Sequence, residues 1–285
     1  MTTLRTQYSV ILMSRVFEVS TSGYYVWLKR APSPRSQEEA RLVVAIKAAD
    51  QRTRQTYGPE RLQDELAGDG FQASVGRIKR LRRQLGLRCK QKRKFKATTN
   101  SNHRLPVADN LLAQDFSTAR PHQVWVSDIT YIPTADGWLY LAGIKDLHTC
   151  EIVGYAMGSR MTKELVARAL FGAVSQHRPP RGLILHSDRG SQYCAHDYQR
   201  LARQFGMHCS MSRKGNCYDN APMESFWGTL KTELVHHRRY ETRAPAMREI
   251  TEYIEIFYNR QRRHTKINNL APAVFAKQCE LRAAA

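Results

Sequence analysis

Long apolar runs are missing from this chain. Stretches such as "LVVAI" and "WLYLAGI" fall far short of the roughly 18–20 residues that cross a bilayer as a helix. The opening "MTTLRTQYSVILMSRVF" has no long apolar segment followed by a small-residue cleavage site, so it does not read as a secretory leader. A cytoplasmic protein is expected. Cysteine is sparse as well: six in 285 residues, scattered and without a C-x-x-C pair, which argues against a disulfide-stapled fold and for reduced thiols. Cys194, His196, His208 and Cys209 lie close in sequence. Their spacing fits no usual zinc finger, and adjacent His and Cys on a strand point to opposite faces. Acid is the third shortage. With 25 Asp+Glu against 45 Lys+Arg the formal net charge is +20, which calls for a polyanionic partner. The candidates are nucleic acid, an anionic membrane and an acidic protein, and with the membrane set aside nucleic acid and an acidic protein remain.

What is present is enough apolar residue, 42%, to bury a core, and no internal repeat or low-complexity tract. The basic excess is uneven: residues 1–121 carry 23 Lys+Arg and 10 Asp+Glu, residues 122–285 carry 22 and 15. The first part reads as helical. In residues 1–35, "RVFEVSTSGYYVWLKR" suggests a small helix-turn-helix element. Residues 36–97 read as a helix-turn-helix-like region of three helices. "SQEEARLVVAIKAAD" opens with Ser36 and Glu39 in capping-box spacing. "YGPERLQDELAGDG" has Pro59 where a first turn tolerates it and Gly68 and Gly70 to stop it. "SVGRIKRLRRQLGL" starts at Ser74 and ends at Gly86, with Ile78, Leu81 and Leu85 on one side. From Arg77 to Lys96 there are eleven basic residues and no acid. Such a run is either a solvated face with a flexible tail or a surface that displaces counterions from phosphates. DNA contact is favoured, through Arg80, Arg83, Lys90, Lys92, Arg93 and Lys94.

Residues 98–121 are polar and irregular, a linker by composition. Past residue 122 the pattern changes. "VWVSDITYIPT", a turn at Asp136-Gly137, "WLYLAGIKDLHT" and "EIVGYAMGS" predict three antiparallel strands. Helix "TKELVARALFGAVSQH", strand "LILHSD", helix "AHDYQRLARQFG", strand "HCSMS" and a helix from "NAPMESFWGTLKTEL" follow. The order β-β-β-α-β-α-β-α is that of an α/β fold of ribonuclease-H-like type, a mixed sheet with helices on both faces.

Three acids stand out on this frame. Asp128 lies inside the first strand, on the face of Val124, Val126 and Thr130, where a carboxylate is costly unless a cation or hydrogen bonds compensate it. Asp188 ends the fourth strand, which in this fold lies beside the first. Glu224 falls in the first turn of the helix after the fifth strand. Each acid alone has a plainer reading: a loop cap for Asp188, a first-turn helix acid for Glu224, and, with most difficulty, a tolerated strand acid for Asp128. Brought together, three carboxylates repel unless divalent metal neutralises them, and oxygen-only ligands select Mg²⁺ or Mn²⁺.

Thirty-five residues lie between Asp188 and Glu224, and fifty-nine between Asp128 and Asp188. This resembles the D-D-35-E pattern of transposases and retroviral integrases. The words "WVSDITYI", "HSDRGSQY", "SRKGNCYDNAPMESFWGTLKTE" and "YNRQRRHTKINNLAPAVF" are similar to those of the second-reading-frame product of the insertion-sequence-three family, over residues 40 to 277. The resemblance implies a DDE transposase that frees a 3′-hydroxyl and joins it to another phosphodiester. It implies Asp128, Asp188 and Glu224 as catalytic ligands of two Mg²⁺ ions, with Mn²⁺ as a substitute. It implies Lys231, nearly two helical turns past Glu224, as a phosphate contact; a solvated lysine is the equal alternative.

Other basic residues carry weaker expectations. Arg213 and Lys214 form a basic loop suited to the DNA backbone. "NRQRRHTK", with Arg262 and Arg263, follows a long helix and is expected at DNA. His186 reads as a core histidine and Trp227 as helix packing. The family's active enzymes join an upstream-frame product carrying a helix-turn-helix and a leucine zipper. This chain begins at Met1 without sustained heptads, so end recognition and assembly as a homo-oligomer on DNA are expected to draw on such a partner protein. A non-cleaving DNA-binding regulator at element ends and a plain nuclease are the competing functions.

Overall fold

The structure is a computed structural model that describes residues 1–90, 105–214 and 216–284. Lys92, Arg93 and Lys94 therefore lie outside the described residues. The chain starts with two short helices, α1 (Val10–Val16) and α2 (Thr21–Lys29), capped by Ser9 and Ser20. Packed on each other, they leave Val16, Val26 and Trp27 exposed.

Three helices then form a separate small core: α3 (Pro34–Arg52), α4 (Pro59–Gly68) and α5 (Val75–Gln84). Leu42, Ile46, Leu62, Leu66, Ile78 and Leu81 fill it. The start of α3 differs from the sequence expectation. Ser33, not Ser36, caps it, because Pro34 suits the first helical position and leaves the Ser33 hydroxyl to accept from the Ser36 amide at 3.2 Å. Glu39 is thereby freed from capping and pairs with Arg80 on α5 at 2.8 Å. Ser74 does cap α5, and Gly86 takes the left-handed conformation (φ 67°) that ends it.

The larger unit is a five-stranded sheet of β1 (Val124–Thr134), β2 (Gly137–Asp146), β3 (Ile152–Gly158), β4 (Ile184–Ser187) and β5 (His208–Met211), in the order β3-β2-β1-β4-β5. The first three strands are antiparallel; β4 joins β1 in parallel and β5 joins β4 in parallel. Helix α6 (Lys163–His177), a short α7 (Ser191–Cys194) and α8 (His196–Gln204) bury Leu165, Leu170, Tyr193 and Ala202 against one face. On the other face lie α9 (Ala221–Glu233) and α10 (Arg243–Glu252), which continues as a π-helical segment, Tyr253–Tyr258. The π turn places Tyr253, Ile254, Phe257 and Tyr258 all in the core. Helix α11 (Pro272–Ala284) ends the described chain.

Two findings go beyond the sequence pattern. Residues 105–121 have no helix or strand, yet they bond to β5 and to the turn before α9: Leu111 N donates to Ser210 Oγ at 2.9 Å, and Asn110 Nδ2 to Asp219 at 3.0 Å. The three-helix unit is also fastened to the sheet unit. Arg263 donates to Glu65 at 2.8 Å and its amide to the Tyr57 hydroxyl at 2.6 Å, Asn269 donates to Asp64 at 2.8 Å, and Arg54 stacks on Phe257.

Candidate active site

The parallel pairing of β1 with β4 decides where the acids go. Ser127 is in register with Ser187, so Asp128 and Asp188 emerge side by side where β4 stops. Helix α9 is then laid over β1 and β2 by a row of contacts. Asn220 Nδ2 donates to the Ser127 carbonyl at 3.1 Å, Lys145 Nζ on β2 to the Pro222 carbonyl at 3.3 Å, and Trp227 Nε1 to Asp128 Oδ2 at 3.0 Å. This brings the first turn of α9, with Glu224, to the same end of the sheet.

Each of the first two acids is held by local donors. Asp128 Oδ1 accepts from the Ile129 amide at 2.8 Å, and Asp188 Oδ1 accepts from the Gly190 amide at 2.9 Å. A Cβ at position 190 would already stand 3.0 Å from that oxygen, which explains the glycine two residues after the acid. Arg189 Nε donates to the Ser212 carbonyl at 2.6 Å and ties the loop to the end of β5.

The electrostatics mark the pair. Burial first, then the negative charge of Asp188, push the Asp128 carboxyl up to about 8, against the pull of the Ile129 amide and the Trp227 indole; Glu224 adds the smallest effect. Below them Tyr193 is buried, its phenol pushed well above 10 by burial and by both aspartates, and its hydroxyl accepts from Ser127 Oγ at 3.1 Å. The three acids share one end of the sheet without closing into a ligand cluster. Glu224 is exposed, and among the described residues no three His, Cys, Asp or Glu side chains stand together so as to hold a metal ion. The donor set itself, oxygen only and electron-rich, suits a hard divalent cation.

Residues 118–217 match the integrase core domain family, residues 224–279 match a second integrase core domain family, and residues 36–95 match an HTH-like domain. The insertion element IS600 uncharacterized 31 kDa protein of Shigella sonnei is 62% identical over 266 residues, 93% of this chain and 98% of that one. Transposase InsF for insertion sequence IS3A of Escherichia coli (strain K12) is 41% identical over 271 residues, 94% of each chain. The chain belongs to the IS3 family of transposases. The solved catalytic core domain of BIV integrase covers 57% of the transposase and 99% of its own chain, at 18% identity and a TM-score of 0.45. The sheet unit of the transposase is a ribonuclease-H-like integrase core, and the three-helix unit before it is helix-turn-helix-like.

The transposase sorts its basic residues differently from the expectation. Arg262 is corrected: it is 6% exposed, and its guanidinium grips Glu233 through Nε and Nη2 at 2.9–3.1 Å. Tyr253 donates to the same carboxylate at 2.6 Å, so Arg262 closes a buried network and is not available to DNA. Arg263 is engaged by Glu65 and by the Asn269 carbonyl, and Lys90 reaches the Glu233 carbonyl at 3.3 Å; both serve the junction between the two units. Arg213 is fastened to buried Asp219 through its amide, Nε and Nη2, and Asn110 and Gln114 donate to the same carboxylate. That loop is therefore stapled, and Asp219 is held far below the usual carboxylate range by Arg213. Lys231 is 7% exposed with its amine 4.9 Å from the centre of the Tyr131 ring, which removes the solvated reading. Arg83 and Lys214 are exposed, and Arg80 is exposed but paired with Glu39.

His186 is a satisfied core histidine, between Ser210 Oγ at 2.8 Å and Ser212 Oγ at 3.2 Å, and burial pushes it down to about 4. Trp227 packs in the core as expected, and it also donates to Asp128, which its sequence position does not signal. A tryptophan three residues after a glutamate signals packing; only the strand-to-helix register reveals the indole's partner.

Proposed function

We propose that the transposase cuts and rejoins DNA strands by in-line phosphoryl transfer at Asp128, Asp188 and Glu224, which would ligate two Mg²⁺ ions, with Mn²⁺ as a substitute. The observation carrying this reading is the Asp128–Asp188 pair, side by side at the end of parallel strands with the first turn of α9 brought over it. Bound there, the ions supply nucleophile activation and charge stabilisation at the leaving oxygen, so no seryl or cysteinyl nucleophile is needed. The chain's own part is to hold Asp128 by the Ile129 amide and the Trp227 indole and Asp188 by the Gly190 amide, while exposed Glu224 swings in to complete the set.

DNA is the partner that the charge of +20 supports, at element ends and at the target. Arg83, Lys214 and Arg80 are the exposed contacts, with Lys92, Arg93 and Lys94 continuing the basic run. Lys231, on the same helix as Glu224 and close enough to feel the charge of Asp128, is the contact to the scissile phosphate. Assembly is as a homo-oligomer on DNA, with an upstream-frame product as a further partner, in the bacterial cytosol. Among the described residues no helix is long and apolar enough to cross a membrane. Nothing favours the non-cleaving regulator.

The test is strand cleavage and joining on element-end DNA with Mg²⁺ by the full chain and by Asp128→Asn, Asp188→Asn and Glu224→Gln. Each variant is expected to lose at least about a hundredfold in both steps, while still shifting the DNA in a gel. Wild-type rates in Asp188→Asn would overturn the assignment.

A further inference from the structure

Asp128 stands opposite Gly143 across the β1–β2 ladder, and this pairing has a chemical consequence. Most residues of β2 carry a side chain, but a Cβ at Gly143 would lie 2.7 Å from Cη2 of Trp227 and 2.8 Å from Cε of Met223. The indole of Trp227 thus crosses bare backbone on its way to Asp128, and its Nε1 meets Oδ2 at 3.0 Å. The ring packs at a tilt against Phe226, with centroids 4.9 Å apart, and is almost fully buried. Tryptophan offers one donor and no acceptor, so it can only stabilise an ionised or accepting carboxylate. The Ile129 amide occupies the other oxygen, at 2.8 Å. Two donors on two different oxygens set the plane of the carboxylate.

We infer that Trp227, seated on Gly143, is a positioning residue that orients Asp128 for metal and sets the metal affinity of the site. The inference rests on the reading of Asp128 as a metal ligand and adds a residue to it. Hydrogen bonds to charged groups contribute more than neutral ones, and the bond here also removes rotational freedom from the ligand. Its loss leaves Asp128 able to bind, but less strongly.

The test uses the full chain and Mn²⁺ alone, with binding followed by water-proton relaxation, so that no DNA or activity enters. Trp227→Phe keeps the ring and removes the donor; the half-saturating Mn²⁺ concentration is expected to rise roughly tenfold, a typical fold-change for one charged hydrogen bond. Gly143→Ala leaves the indole intact and pushes it off Asp128, and a rise of the same direction is expected. In the wild type, the Trp227 indole N–H resonance, one of four in the chain, is expected to move on addition of Mg²⁺ and in Asp128→Asn. Should Trp227→Phe fail to fold, Gly143→Ala and this resonance still decide. An unchanged or lower half-saturation in both variants, with Asp188→Asn abolishing Mn²⁺ binding, overturns the role of Trp227 and leaves the metal site standing. Full Mn²⁺ binding by Asp188→Asn overturns the metal site and the inference with it.

Discussion

Two arginine-rich stretches read alike in the sequence and spend their charge differently: the first buries Arg82 near Asp50 but keeps most of its basic residues outside, whereas the second commits Arg262 and Arg263 to the fold. "RIKRLRRQ" on α5 keeps Lys79, Arg80 and Arg83 at the surface. "NRQRRHTK", at the end of the π-helical segment, puts Arg262 in the core and Arg263 in the junction with the three-helix unit. The difference lies in the acids each finds. Arg77 and Arg80 meet Glu38 and Glu39, solvated residues on α3. Arg262 meets Glu233, brought from twenty-nine residues away and buried with it. A basic run thus shows that charge is present, and tertiary structure decides whether that charge is offered to a ligand or consumed by the fold.

The sharpest way to break this comparison is Glu233→Ala. It strands a buried guanidinium and a tyrosyl hydroxyl, and about 3–5 kcal/mol of stability should go with it, read by urea unfolding. An unchanged midpoint would mean that the Arg262 network is ornamental and that the stretch is free for DNA after all.

The second prediction separates the stretches by pH. His264 is pushed down to about 2 by burial, then by the positive charges of Arg262, Lys145 and Arg61. Its folded value lies below the unfolded one near 6.5, so the stability it contributes is present above pH 6.5 and is lost as pH falls. A slope approaching about 1.4 kcal/mol per pH unit is expected below 6.5. Unfolding at pH 7.5 and 5.5 should show it, and His264→Gln should flatten it; an identical slope in that variant removes the histidine from the account.

The smallest effects belong to α5. Arg83→Ala should leave Tm unchanged, weaken DNA binding across all sequences and lower the salt slope by about one. Arg80→Ala should do the same to a lesser degree, because Glu39 already shares its charge. A lower Tm with an unaltered salt slope in Arg83→Ala would place α5 with the buried stretch rather than opposite it.

Much of this is legible in the sequence. Enrichment in β-branched and aromatic residues pointed to the three antiparallel strands, and Asp136-Gly137 marked the turn, where Gly137 does take φ 98°. Ser74 and Gly86 bounded α5 as expected. The α3 cap slipped by three residues because Pro34, not the capping-box spacing, fixed its first turn. The short α7 was missed: four residues are too few for a helical period to show. For Arg262, no feature of its own neighbourhood announced a partner as distant as Glu233.

By itself the sequence determined the order of the five strands and the main helices between them and the surplus of positive charge, because residue patterning and composition are local properties. Tertiary structure alone decided that Trp227 reaches Asp128 over Gly143, that Arg262 is sealed on Glu233 and that Ser127 pairs in register with Ser187. Those outcomes depend on register between strands distant in sequence, and on which charges share low-dielectric space, neither of which is encoded in any single stretch of chain.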